Sequence, residues 1–202
     1  MVAVQEKKAQ KVEFLQLNLP SGGFSDDDFF EFCQLNDNLR IERLATGKLI
    51  IKAPTGGKTG IYNAELNAEI GIWNRIKKQG KVFDSSTGFK LENGAIYSPD
   101  VSWITKEKWN NLSAAQQKKW VPFAPDFMCE LVSNKGQRKE IVRKIVEFIE
   151  NGTQLGWMID PFGKETHVFR PSGEVVQIPF NQPVFGGRIL EGLEIVMEDV
   201  LD

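Results

Sequence analysis

Apolar and polar positions along the chain fall into blocks of two periodicities, and the blocks predict an order of helices and strands. In "SGGFSDDDFFEFCQLNDN", Ser25 stands as an N-cap before Asp26, Asp27 and Asp28, with Phe29, Phe30 and Phe32 behind them, which is how a helix starts. "LRIERLATGKLIIKA" reads as a hairpin turning at "ATGK". "IYNAELNAEIGIWNRIKKQG" sets Tyr62, Leu66, Ile70 and Trp73 on one helical face and is expected to end at Gly80. Three strand candidates follow: "KVFDSSTGFKL", "AIYSPDVSWIT" after the turn "ENG", and "DFMCELVS". The last two are separated by "KEKWNNLSAAQQKKW", polar and helix-like. "GQRKEIVRKIVEFIENG" is a second strong helix, closed by Gly152. "TQLGWMID", "ETHVFRPSG" and "EVVQIPF" then read as a C-terminal strand meander with turns at "PFGK" and "PSG". This order predicts an α/β fold in which a central mixed β-sheet is flanked by helices.

Composition narrows the class. The 202 residues, 41% hydrophobic and 26% charged, suit one globular domain over 1–202, with residues 1–20 as a polar leader. No apolar run reaches the roughly 18 residues of a membrane span, and "MVAVQEKKAQK" lacks a hydrophobic signal segment. The expectation is a cytoplasmic protein with no membrane partner. Cys33 and Cys129 make no disulfide framework. His167 is the one histidine, placed by alternation on a strand surface. Zinc sites on paired histidines, HNH-type nucleases and Ser-His-Asp chemistry are therefore excluded. The net charge of −2 excludes a globally basic nucleic-acid binder. It leaves room for a protein that meets phosphate through a metal and a local patch.

Two motifs invite chemistry. "PTGGKTG" resembles a phosphate loop, but with Gly57-Lys58-Thr59 as its end the first glycine would fall at Lys52, and Pro54 removes an amide. No nucleotide cofactor is expected. The carboxylates are the stronger signal. Strand alternation puts Asp100 on a face with Ser102, and Glu130 on a face with Asp126, Met128 and Val132. A carboxylate inside so apolar a strand is costly unless paired, protonated or metal-bound. On the helix 137–150 the apolar face is Ile141, Val142, Ile145, Val146, Phe148 and Ile149. Lys144 falls roughly 40° beyond Phe148, at the edge of that face, where a long stem reaches back over a sheet. Two acids and a lysine on one point are what metal-dependent phosphodiester cleavage requires. The acids hold Mg²⁺ or Mn²⁺ through oxygen, the metal activates water, and the lysine assists the nucleophile or offsets phosphate charge. The same residue types also occur as ordinary solvated charges, so spacing alone leaves both readings open.

The blocks "FDSSTGFKLENGAIYSPDVSWITKEKW", "FAPDFMCELVSN" and "KIVEFIENGTQLGWMIDP" resemble the Uma-two family of restriction endonucleases, within the PD-(D/E)XK nuclease superfamily. The resemblance runs from about "PTGGKTG" to "LEGLEI". It implies a restriction-endonuclease-like fold and metal-dependent DNA cleavage. It implies Asp100 in "SPD" as the first strand acid, Glu130 in "CELVS" as the second, and the backbone carbonyl of Leu131 as a third metal ligand. The superfamily's lysine position, two residues after the second acid, is Val132 here, and the family's lysine on the next helix matches Lys144. An accessory acid from the first core helix is implied, with Glu65 and Glu69 as candidates. The chain departs from its relatives at "SNKG", where they read Ser-Pro-Ser. DNA is the implied partner, met through "RIKKQGK" (Arg75 to Lys81) and "QRKEIVRK". Cutting both strands calls for two sites, hence a homodimer. The alternative is a non-catalytic interaction or regulatory protein on a nuclease scaffold that keeps its acids.

Overall fold

The computed structural model describes residues 14–17 and 23–201. The described residues begin with β1 (Phe14–Leu17), α1 (Asp26–Leu35), the hairpin β2 (Arg40–Arg43) and β3 (Leu49–Lys52), and the long helix α2 (Gly57–Lys77). There follow β4 (Gly80–Phe83), β5 (Phe89–Lys90), β6 (Ile96–Tyr97), β7 (Val101–Thr105), α3 (Lys106–Asn110) and β8 (Phe127–Leu131). Helix α4 (Arg138–Glu150) leads to β9 (Leu155–Asp160), β10 (Glu165–Phe169) and β11 (Val175–Pro179). The described chain ends in β12 (Pro183–Phe185), β13 (Glu194–Val196) and α5 (Met197–Val200).

Six strands form a central mixed sheet in the order β11-β10-β9-β8-β7-β4, in which β8 and β9 are parallel and the other pairs antiparallel. A parallel pair needs a crossover, and α4 supplies it. Side-chain alternation along β8 then sorts its residues between two cores. Phe127, Cys129 and Leu131 join Tyr62, Leu66, Ile70 and Trp73 of α2. Met128 and Val132 join Ile141, Ile145 and Phe148 of α4. Strand β8 is thus buried along its whole length. A second sheet, β1-β3-β2-β6-β5, carries the hairpin.

The expected helix start at Ser25 holds: the Ser25 hydroxyl accepts the Asp28 N–H at 3.1 Å. Other boundaries differ, each for a local reason. The pattern expects one strand over "KVFDSSTGFKL" and one over "AIYSPDVSWIT", and the chain makes four. Asp84 Oδ1 accepts from the N–H and hydroxyl of Ser86 and turns the first segment, so β4 and β5 lie in different sheets. Pro99, with no N–H to give a ladder, sits where the second divides into β6 and β7. Helix α2 starts inside "PTGGKTG", at Gly57, and Gly80 does not end it. Lys78 takes the left-handed turn (φ 56°), and Gly80 opens β4. A Cβ on Gly80 would stand 2.0 Å from the Ile104 carbonyl oxygen and 2.4 Å from the Trp103 ring. In "KEKWNNLSAAQQKKW" the α-helix covers Lys106–Asn110, with a 3-10 turn at Gln116–Lys118. Val146, expected on the apolar face of α4, is 40% exposed. Strand β1 lies within the expected polar leader, whose residues 1–13 and 18–20 fall outside the described residues. Among the described residues, no helix is long and apolar enough to cross a membrane.

Gly71 of α2 and Gly80 of β4 make opposite predictions. Gly80→Ala forces a methyl against fixed backbone and should cost roughly 1–3 kcal/mol or more. Gly71, inside α2 with nothing within 4 Å of a built Cβ, should gain about 0.5–1 kcal/mol as alanine. Urea denaturation of the two variants checks both signs.

Candidate active site

Between β6 and β7 the chain passes from the second sheet to the central one, and Asp100 lies at that joint. In the register that pairs Val101 with Cys129, the position opposite Asp100 is Glu130. Asp100 Oδ2 accepts the Leu131 N–H at 2.9 Å, and Oδ1 accepts the Asn63 amide of α2 at 3.2 Å. Glu130 is 6% exposed, and alternation turns it to the α4 side of the sheet. There the Lys144 ammonium lies 2.7 Å from Glu130 Oε1. Lys144 Nζ also donates to Glu42 Oε1 at 2.9 Å and to the Ser98 carbonyl at 3.2 Å. Glu42, on β2 and only 4% exposed, accepts the Ser98 N–H at 2.9 Å and pairs with Lys52 at 2.8 Å. Two acids and a lysine from the central sheet and α4 therefore meet a third acid from the second sheet.

The two acids around Lys144 respond to burial differently. Burial pushes the Glu42 carboxyl up, but the ammoniums of Lys144 and Lys52, with the Ser98 N–H, more than offset it and hold it at about 2. Burial also pushes Glu130 up; Lys144 pulls it down, Asp100 pushes it up again, and it stays above the ordinary carboxylate range. Burial would lower Lys144, yet Glu130 and Glu42 raise it well above the usual lysine range. Lys144 is therefore an ammonium at any working pH.

These groups line a cleft of about 450 Å³. Of the residues read from sequence, Asp100, Glu130, Leu131 and Lys144 line it together. Glu65 and Glu69 do not: Glu65 is exposed, Glu69 half-buried, and the helix offers Asn63 to Asp100 instead. Asp126, on the Glu130 face by alternation, is spent on the Thr105 N–H at 2.9 Å and on Lys108 at 2.6 Å. The basic stretch from Arg75 to Lys81 begins twelve residues along α2 from Asn63, about 18 Å at the helical rise. Gln137, Glu140 and Arg143 of "QRKEIVRK" do line the cleft. Glu42 is the residue that sequence reasoning missed. Its one signal is the diagonal to Lys52: Glu42 stands opposite Ile50, two positions from that lysine.

Among the described residues, no three His, Cys, Asp or Glu side chains gather as a metal cluster. The oxygens that do converge fit a hard cation that keeps several waters. Asn63 Oδ1 and Glu130 Oε1 are buried acceptors without a hydrogen bond, on residues that flank Asp100. Glu130 Oε1 meets Lys144 by charge, without hydrogen-bond geometry.

Glu42 and Glu130 should separate in a metal-free stability experiment. A buried carboxyl held at about 2 rather than its ordinary 4.5 is worth on the order of 3 kcal/mol to the fold. That stability is present above pH 4.5 and is lost as pH falls through about 2. Glu130, raised in the folded state, works the other way: its charge is unfavourable at neutral pH, and protonation relieves it. Glu42→Gln should therefore melt earlier than wild type at pH 7 in chelator, with the gap closing in acid. Glu130→Gln should leave stability unchanged or higher. Urea melts from pH 2 to 8 read both.

The family model Uma2, described as "Putative restriction endonuclease", matches residues 26–198. A solved structure, described as a "putative nuclease belonging to DUF820" from Anabaena variabilis ATCC 29413, matches with a TM-score of 0.71 and 20% identity. The match covers 88% of this chain and 97% of that one. At that identity the likeness carries the fold, a mixed α/β architecture around a central sheet. No curated protein matches the sequence. From α1 onward the family match takes in strands of all three sheets and every residue around Lys144. The chain belongs to the Uma2 family, described as "Putative restriction endonuclease".

Proposed function

We propose that this protein is a Mg²⁺- or Mn²⁺-dependent DNA endonuclease that hydrolyses phosphodiester bonds with Asp100, Glu130 and Lys144. One observation carries the reading. Asp100 and Glu130 stand opposite one another across β7 and β8 in a single cleft, with a lysine from α4 reaching the second acid.

Asp100, Glu130 and the Leu131 carbonyl would hold the cation, which when bound polarises the phosphodiester and neutralises charge developing on its oxygens. Asp100 is set for this by the Leu131 N–H and the Asn63 amide, which fix both its oxygens. Lys144 would assist the nucleophile or offset phosphate charge. In the second role it is a positive charge and a donor to a phosphate oxygen. The cleft's formal charge supports a need for the cation. Arg40, Lys52, Arg143 and Lys144 face Glu42, Asp100, Glu130, Glu140 and Glu147, four against five, which sums to −1. Such walls do not attract a polyanion, and a divalent ion turns the sum to +1. Double-strand cutting would use a symmetric dimer that brings two clefts to one duplex. A binding-only protein is the second reading, favoured by one fact: Glu130 has the Lys144 ammonium as an ion-pair partner at 2.7 Å.

Plasmid nicking with Mg²⁺ or Mn²⁺ decides between them. Asp100→Ala and Glu130→Ala should each abolish cutting. Lys144→Ala should slow the single-turnover step by roughly 100-fold, the scale of one lost electrostatic donor, while Mn²⁺ binding persists. Lys58→Ala should change little. Cutting that survives in the Asp100→Ala/Glu130→Ala protein would place the activity elsewhere. A wild-type protein that cuts no DNA under any metal would leave the binding-only reading.

A further inference from the structure

Lys144 has to work from a helix. The strand position two residues after Glu130 is Val132, buried in the α4-side core, so no lysine stands beside the acid on its own strand. A lysine on α4 reaches the cleft on a long flexible stem, and its placement depends on what holds the ammonium. Two carboxylates and a carbonyl do so: Glu130 at 2.7 Å, Glu42 at 2.9 Å and the Ser98 oxygen at 3.2 Å. These partners are not equivalent. Glu130 is the acid a cation would occupy. Glu42 is held at both ends, Oε2 by Lys52 at 2.8 Å and Oε1 by the Ser98 N–H at 2.9 Å. It comes from the β2–β3 hairpin of the second sheet.

We infer that Glu42 is a positioning residue that keeps the Lys144 ammonium in the cleft when a cation takes Glu130. The inference rests on the nuclease reading above and deepens it. With Glu130 charge-compensated by a cation, Lys144 retains Glu42 and the Ser98 carbonyl and stays aimed at the bound phosphate. Without the Glu42 charge it retains neutral acceptors alone, and the side chain regains rotamer freedom. The hairpin sheet thus acts on the site through one carboxylate, touching neither cation nor substrate.

The test needs no DNA. Lys144 is acetylated with a small amine-reactive reagent, and its peptide is quantified by mass spectrometry, with and without Mn²⁺. In wild type, labelling should be slow in both conditions. In Glu42→Gln it should rise roughly tenfold when Mn²⁺ is present, the effect of losing one charge-assisted contact. Mn²⁺ affinity, followed by electron paramagnetic resonance, should stay within about threefold of wild type, because Glu42 is no ligand. Labelling that is equal in the two proteins overturns the inference. So does a loss of Mn²⁺ affinity as large as that of Glu130→Ala, which would make Glu42 a ligand. If Glu42→Gln does not fold, Glu42→Asp, which keeps the charge but draws it back, should give intermediate labelling; wild-type labelling there overturns the inference as well. In cleavage assays Glu42→Gln should lower the single-turnover rate with DNA affinity unchanged, and Glu42→Asp should recover part of it. A wild-type protein that cuts nothing would sink the nuclease reading, while the labelling contrast still decides the anchor.

Discussion

One ammonium shared by two buried carboxylates constrains the whole arrangement. Glu42, Glu130 and Lys144 are nearly shut off from water, and a buried charge is tolerated only with a partner of opposite sign at contact distance. Meeting that condition fixes three elements at once. Helix α4 must lie over β8 with Lys144 inward, and the hairpin must close from the other side so that Glu42 reaches the same nitrogen. Ser98 then bridges the two sheets, giving its N–H to Glu42 and its carbonyl to Lys144. Asp100 follows two residues later, already at the mouth of the central sheet.

The acids divide into one at rest and one under tension. Glu42 has three cationic or N–H partners, and its charge is favoured by the fold. Glu130 shares its lysine, faces Asp100 across the strand pair, and carries an oxygen with no hydrogen bond. Local inconsistency of this kind concentrates where a protein holds a ligand rather than where it holds itself together. Burial pushes both acids up and only Glu42 is brought down again, so it is the partner set that tells the two roles apart.

Much of this was legible from periodicity. Alternation along "DFMCELVS" gave the face of Glu130, and helical phase put Lys144 at the edge of the apolar stripe, where its ammonium is found. The meander after α4 was read correctly, and it extends the central sheet. What periodicity could not show was which strands share a sheet. The break at Pro99 is a single residue in an otherwise strand-like run, yet it moves the chain between sheets and creates the joint that holds Asp100. Glu42 was invisible for a related reason. In "RIER" it is an ordinary alternating charge, and its meaning arises only when tertiary contact brings it to a lysine 102 positions away. Glu65 and Glu69 lie in the same stretch of α2 as the buried Leu66 and Ile70, and neither is among the residues that line the cleft.

That separation along the chain bears on when the molecule becomes competent. Glu130 and Lys144 are joined by one short crossover and can meet early. The contact between Glu42 and Lys144 closes a long loop and carries the entropy of doing so. During synthesis the hairpin must wait until α4 has been made and docked before its carboxylate finds its lysine. A nascent or half-folded chain therefore has its acids but not their geometry. The Glu42–Lys144 contact is the one that joins the hairpin sheet to the cleft.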